Sequence, residues 1–459
     1  MSSKEQVDLD TYGYPFPPDS RRKLRKNSIK TARSLLVKCI YLALSLAGSM
    51  LWLGRLGKRQ PPLAPATFHP RRILVIRLDL IGDLVLTLPL VQALKRAYPD
   101  AEIDLLATPA SARVALHDPN LSQIITYDPN IWRRPQALAR LKNWREARNL
   151  LRRLRSRHYD LAISVYGQWA AVLAALSGSS RRAGYRQEGY PGFMTDPVPR
   201  GIPARRQQYE PLDQKHEVDY CLELARVAGV ALTPEDRIPH LYVDEQSRQE
   251  VVQMLHVAGV SPGEPVVVCH VGSNNGQSKR WPIPYWATLI DRLVRENHAQ
   301  VVLTGAPGDL PIIESVLRRA RERAINLAGK TSLPQLTALL QRADLVISGD
   351  SGPMHMAEAV DAPLIAFFGP TNPSRYGPVS PGATTLRSHI WCSPCYNAKD
   401  PADCPFYTTQ CMKNILPSTV LAMAREKIQA GKRQYSENLV AGQEKGPLAC
   451  HAERKMPKP

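Results

Sequence analysis

Four short stretches of this 459-residue chain carry side chains suited to moving a proton or holding a phosphate. In the first, Gly82 and Asp83 follow the apolar run Ile73–Ile76. A carboxylate at such a point can take a proton from a substrate hydroxyl. Asp is also a favoured helix cap, and the segment alone leaves the two readings level. Gly82 permits a sharp turn or the close approach of a substrate.

The second stretch, HVGSNNGQSKRWP from His270 to Pro282, has Gly272, Ser273 and Gly276 in a loop able to turn backbone N–H groups toward phosphate. Lys279 supplies a point charge for a diphosphate, or is an ordinary solvated lysine. In the third, TGAPGDLP from Thr304 to Pro311, Gly305 and Gly308 allow close approach. Asp309 can accept hydrogen bonds from a ribose or simply cap a helix. The fourth, SGDSGPMHMAEAVDAP from Ser348 to Pro363, sets Asp350, Ser351 and Gly352 before a helix expected to begin at Pro353 or Met354. Free N–H groups and the positive dipole end favour a phosphate there, and His355 falls in the first turn. The rival reading is a capped helix with a packed histidine. The density of polar ligand types favours the phosphate.

The elements that position these residues follow from apolar spacing. Short runs at Ile73–Ile76, Glu102–Ala107, Gln123–Tyr127 and Leu161–Val165 read as strands, with helical stretches between them. The second half repeats this, with strands at Val266–His270, Val301–Thr304, Ile325–Ala328, Leu345–Ser348 and Leu364–Phe368. Strand–helix alternation of this kind predicts an α/β fold with parallel sheets covered on both faces. All four stretches then lie beyond the carboxyl ends of strands, where open α/β sheets bind ligands. Pro89 forces the first helix to begin near Thr87 or to kink. Gly184 to Pro211 has little periodicity and reads as a long loop.

Composition narrows the function classes. Hydrophobic residues make up 44% and charged residues 22% of the chain, as in a globular protein. The net charge of +19 favours polyanions. With 7% aromatics and no nucleic-acid-binding motif, nucleic acid ranks below an anionic membrane or a phosphorylated substrate. Residues 1 to 70 form a basic tail, an apolar stretch from Leu35 to Gly54 and a Pro-rich linker. The uninterrupted apolar part is short for a span, so a membrane-surface or re-entrant anchor is expected, ahead of a single span or a buried helix. Arg133 to His158 is very basic over an apolar stripe. It is a solvated outer face or a patch for anionic lipid or a phosphorylated acceptor.

The segments IRLDLIGDLVLTLP, SKRWP, the Gly-rich loop after Leu303, SGDSGPMHMAEA and FFGPTNPSRYGP together resemble glycosyltransferase family 9, the ADP-heptose:lipopolysaccharide heptosyltransferases. The resemblance covers roughly Arg71 to Leu416. It implies a GT-B fold, with two Rossmann-like domains facing across a cleft. The acceptor domain would span 71–245 and the nucleotide-sugar domain 246–431, with the basic and apolar extension at 1–70 and a disordered tail at 432–459. It further implies an inverting, metal-independent transfer of heptose from ADP-heptose to a lipopolysaccharide-type acceptor. Asp83 matches the family's general base. Lys279 matches the lysine that steadies the donor diphosphate, and Asp350, Ser351, Gly352 and His355 match the donor-holding motif. Ser273, Gly305 and Asp309 complete the expected donor side, and no acceptor residues are assigned. The expected partners are an ADP-sugar, an anionic glycolipid and the cytoplasmic face of the inner membrane, reached through residues 35–54.

Cys392, Cys395, Cys404 and Cys411 fall within 20 residues and open with C-x-x-C. Such a set can bind a structural zinc or an iron–sulfur cluster, or consist of free thiols. Two rival functions stand beside the leading one. The first is a GT-B transferase using another nucleotide-sugar for a capsule or surface glycan. The second is a non-enzymatic polyanion-binding protein on the same scaffold.

Overall fold

The computed structural model describes residues 68–186, 191–199, 215–261, 263–273, 277–395, 404–406 and 408–440. The expected basic tail and the apolar segment 35–54 lie outside them. Among the described residues no helix is long and apolar enough to cross a membrane. The chain divides into two compact units near His240.

The first unit is built on a six-stranded sheet, all of whose pairings are parallel. In chain order its elements are β1 (Arg72–Arg77), α1 (Ile81–Val85), α2 (Leu88–Ala97), β2 (Glu102–Ala107), β3 (Gln123–Thr126), α3 (Leu141–Ser156), β4 (Leu161–Ser164), α4 (Gln168–Leu176), β5 (Arg181–Tyr185), β6 (Asp196–Val198) and α5 (Glu217–Val227). The strand order is β3-β2-β1-β4-β5-β6, so the sheet reverses direction of growth between β1 and β4. Ile73 to Ile76 are fully buried, as the central strand of a sheet covered on both faces must be.

Pro89 explains the break after α1. Its nitrogen donates no hydrogen bond, so it is tolerated only in the first turn of a new helix. Accordingly α2 starts at Leu88, with Thr87 as its cap residue. The Thr87 hydroxyl donates to the Asp83 carbonyl at 2.8 Å and ties the two helices together.

The stretch expected to be one loop from Gly184 holds the end of β5 and all of β6. These strands hide in the sequence because their faces are satisfied by arginine. The Arg182 side chain is buried and its Nε donates to the Phe193 carbonyl at 2.7 Å. Arg181 pairs with Asp196 on the neighbouring strand.

The second unit repeats the plan with α6 (Glu245–Val257), β7 (Val266–His270), α7 (Ile283–Asn297), β8 (Gln300–Thr304), α8 (Leu310–Arg319), β9 (Ile325–Asn326), α9 (Leu333–Arg342), β10 (Leu345–Gly349), α10 (Gly352–Ala359), β11 (Leu364–Phe368), α11 (Pro373–Tyr376), β12 (Ala383–Arg387), α12 (Gln410–Lys413) and α13 (Pro417–Val440). Its parallel sheet runs β12-β11-β10-β7-β8-β9, and the reversal lies between β7 and β10. Two elements correct the sequence reading. β12 is an unforeseen edge strand, pairing through Ala383–Arg387 with β11. α13 continues to Val440, past the expected start of a disordered tail near Gly431. No proline interrupts residues 418–440, so nothing in the chain stops the helix at 431.

Candidate active site

Asp83 is the third residue of α1, directly beyond the carboxyl end of β1. The cap position belongs to Leu80, so Asp83 is not that helix's cap residue. Its carboxylate is 28% exposed and lies 3.2 Å from the guanidinium of Arg77, the last residue of β1. Arg77 is 2% exposed and also approaches Asp79 at 3.0 Å and Glu217 at 3.5 Å. Its charge lies 5.3 Å from the centre of the Tyr166 ring, which follows β4. The guanidinium thus spans the β1/β4 reversal. Burial by itself would make Arg77 easier to deprotonate. The carboxylates of Asp83, Asp79 and Glu217 outweigh burial and raise its pKa. Nε and Nη1 of Arg77 make no well-aligned hydrogen bond, so the attraction there is coulombic.

Sequence reading missed Arg77 and Glu217. A charged residue ending a doubly covered strand was a usable signal, because a buried charge needs a partner. Glu217, 140 positions further on in the chain, offered none.

In the second unit, the β7/β10 reversal carries Lys279 and Asp350. Lys279 ends a short turn after β7, and its ammonium donates to the Asp350 carboxylate at 2.8 Å. Trp281 sets that turn in place. It is buried against Trp286 and Phe367, with ring centres 5.0 and 4.9 Å away, and its Nε1 donates to the Ile415 carbonyl at 2.8 Å. Burial would raise the Asp350 pKa, but the Lys279 ammonium and the nearby His355 hold it below the usual carboxylate value.

Asp350 leads into α10, whose first residues are Gly352 and Pro353. Ser351 caps by position without a side-chain cap bond, and its hydroxyl lies 3.0 Å from that of Ser348. His355 is buried, with Nδ1 3.8 Å from Glu358. The other Glu358 oxygen accepts the Val379 and Ser380 N–H groups and pins the loop after α11.

The remaining donor-side residues serve a second cluster at the end of β7 and β8. Ser273 is buried just past β7. The Asp309 carboxylate accepts the Ala306 N–H at 2.9 Å. A methyl group on Gly272 would lie 2.2 Å from Asp309 Oδ2, and one on Gly305 would lie 2.7 Å from Ile313 Cδ1. A methyl group at either position would force the facing Asp309 or Ile313 side chain to shift. His270, which ends β7, sits 3.1 Å from the Thr304 hydroxyl, and burial lowers its pKa to about 4 against the opposing pull of Asp309.

Cys392, Cys395, Cys404 and Cys411 are free thiols. Burial, reinforced by the neighbouring cysteines, pushes Cys395 up to about 11 and Cys411 up to about 12. Among the described residues no group of three or more His, Cys, Asp or Glu is arranged to hold a metal ion.

Two Rossmann-like units in one chain, each with a cation–carboxylate pair where its sheet reverses, are the plan of the GT-B fold. Comparison with known proteins makes the assignment specific. The family model for glycosyltransferase family 9 (heptosyltransferase) matches residues 147–405. The chain belongs to that family.

Lipooligosaccharide heptosyltransferase 2 of Haemophilus influenzae is 28% identical over 335 residues, covering 69% of this chain and 88% of that protein. Among solved structures, a family 9 glycosyl transferase from Veillonella parvula superposes with a TM-score of 0.64 at 22% identity, over 81% of this chain and 99% of its own. The Escherichia coli ADP-heptose lps heptosyltransferase II gives 0.61 at 25% identity, over 79% and 99%.

Proposed function

We propose that this enzyme transfers a heptose from ADP-heptose to a lipopolysaccharide core-type acceptor, inverting the anomeric centre without a metal ion. The observation that carries the reading is the Lys279–Asp350 pair at the β7/β10 reversal, beside the start of α10. Similarity to heptosyltransferases over most of their length supports the choice of donor and acceptor.

In this mechanism the acceptor hydroxyl oxygen attacks the anomeric carbon on the face opposite the diphosphate. The bond from that carbon to the diphosphate oxygen breaks, and ADP leaves with the electron pair. Asp83 takes the hydroxyl proton, with Arg77 holding its carboxylate in place. An ammonium has three N–H donors. One of those on Lys279 meets Asp350, and the group stabilises the charge growing on the departing diphosphate together with the N–H groups opening α10. The acceptor is a glycolipid, and nucleotide sugars are cytoplasmic. We therefore place the enzyme at the cytoplasmic face of the inner membrane.

The test is to incubate purified protein with ADP-heptose and a heptose-accepting glycolipid, with and without a chelator. Release of ADP matched by a heavier acceptor, unaffected by the chelator, is expected. Tighter competition by UDP or GDP than by ADP would assign a different donor. No transfer at all would overturn the reading.

A further inference from the structure

The arginines of α3 fall into two groups. At its C-terminal end three of them are engaged by the protein, while Arg152 is exposed and makes only a 3.5 Å contact with Asn149 of the same helix. Arg153 donates to the Gln123 side chain at 2.5 Å, Arg155 to the Leu176 carbonyl at 3.1 Å and Arg157 to Asp104 at 2.9 Å. At its N-terminal end, Arg140, Arg145 and Arg148 are exposed, and among the described residues no carboxylate lies in ion-pair reach of them.

The N-terminal end is also where apolar side chains stand out. Leu141 is 72% exposed and Trp144 52%. Trp144 is held in that pose, its Nε1 donating to the Leu138 carbonyl at 2.9 Å and its ring 4.9 Å from that of Trp132. Leu116, beyond the neighbouring strand β2, is 52% exposed. Chain topology puts these groups together. β3 ends at the carboxyl edge of its sheet and β4 begins at the amino edge, so α3 runs from the one to the other. Its start therefore lies at the edge that carries Asp83. The positive end of the helix dipole adds to the charge there.

Exposed Trp and Leu ringed by unpaired arginine are the groups that enter the interfacial layer of a bilayer, the aromatic at headgroup depth and the cations on anionic headgroups. We propose that the start of α3 docks this unit on an anionic phospholipid bilayer and so presents the Asp83 edge to a membrane-borne acceptor. The proposal rests on the glycolipid acceptor assigned above.

Hydrogen exchange on the full chain tests it, because a residue-level readout is blind to any binding elsewhere. Phosphatidylglycerol vesicles are expected to slow exchange over residues 138–148, and phosphatidylcholine vesicles are not. With Arg140→Gln, Arg145→Gln and Arg148→Gln together, the vesicle concentration giving half of that slowing should rise at least about tenfold. Unchanged exchange with phosphatidylglycerol, an unchanged requirement in the triple variant, or equal slowing by inorganic phosphate alone would each overturn the proposal. Transfer to a detergent-dispersed acceptor is measured in parallel. The triple variant is expected to retain it, and loss of transfer by the parent enzyme itself would count against the functional reading alone.

Discussion

The guanidinium of Arg77 lies 3.2 Å from the carboxylate of Asp83, and the two sit at the end of one strand and the start of the next helix. Six residues apart, they are brought together because the chain turns directly from β1 into α1. The same cation meets Asp79 and Glu217, so Asp83 is one arm of a buried charge cluster. A carboxylate held this way keeps its position when the acceptor arrives, which is the geometric requirement on a general base.

Arg77→Met should therefore damage both fold and reaction. Removing one partner of a buried pair leaves uncompensated charge, here chiefly on Glu217, at a cost of about 3 kcal/mol. Denaturant midpoints would read it. Arg77→Lys should recover part of the stability but less of kcat, because an ammonium cannot reach three carboxylates with the fork of a guanidinium.

Asp83→Asn keeps the shape and an oxygen to face Arg77 but removes the proton acceptor. Turnover should fall by about 10² to 10⁴. Binding of ADP, measured by calorimetry, should be unchanged because the donor residues lie in the other unit.

Lys279→Met should weaken ADP binding by about 10- to 100-fold, the worth of a charge-assisted hydrogen bond. It should also change the acid response. The folded-state pKa of Asp350 is depressed below 3.8, so the stability it contributes is full above that value and is lost as pH falls through the folded value. Without Lys279 burial dominates, and acid unfolding of the variant should begin at higher pH than in the parent.

His270 acts in the same direction but over a higher pH range. Its pKa falls from 6.5 to about 4 because the ring is buried. Between those values the unfolded chain binds a proton that the fold excludes, so stability declines as pH drops from about 6.5 to about 4, by roughly 3 kcal/mol in total. Denaturant midpoints at neutral and mildly acid pH should show this decline in the parent and a smaller one in His270→Gln.

Gly272→Ala should cost about 1–3 kcal/mol, because the new methyl group would meet Asp309 Oδ2 at 2.2 Å. Asp309→Ala in the same chain should relieve part of that cost. A non-additive double-variant cycle is the measurement that shows it.

Most of the scaffold was legible in the chain. Strands Glu102–Ala107, Val266–His270 and Leu364–Phe368 fall where their apolar residues place them, because a strand covered on both faces is largely apolar. The missed strands β5, β6 and β12 lack such runs. β5 is satisfied by arginine hydrogen bonds, and β12 at the sheet edge is only half-buried. Neither pattern has a period to detect.

The candidate site divides in the same way. The types and order of Asp83, Lys279, Asp350, Ser351 and Gly352 were readable, since each follows an apolar strand and carries a recognisable chemistry. Partnership was not. Lys279 and Asp350 are 71 positions apart, and Arg77 and Glu217 are 140 apart. Asp309 could be read from sequence as a ribose ligand or a cap; its carboxylate accepts the Ala306 N–H and closes the turn before α8, and it makes no side-chain cap bond to that helix.

What the sequence by itself determined is therefore local: where strands begin, where loops bend, and which loops carry carboxylate, ammonium or glycine. Backbone sterics and apolar periodicity act over a few residues, so a few residues encode them. Only the tertiary structure decided which charges meet, which arginines of α3 are engaged and which stand open. Those outcomes depend on strand order, and strand order is settled when distant segments pack, with burial making each charge find a partner.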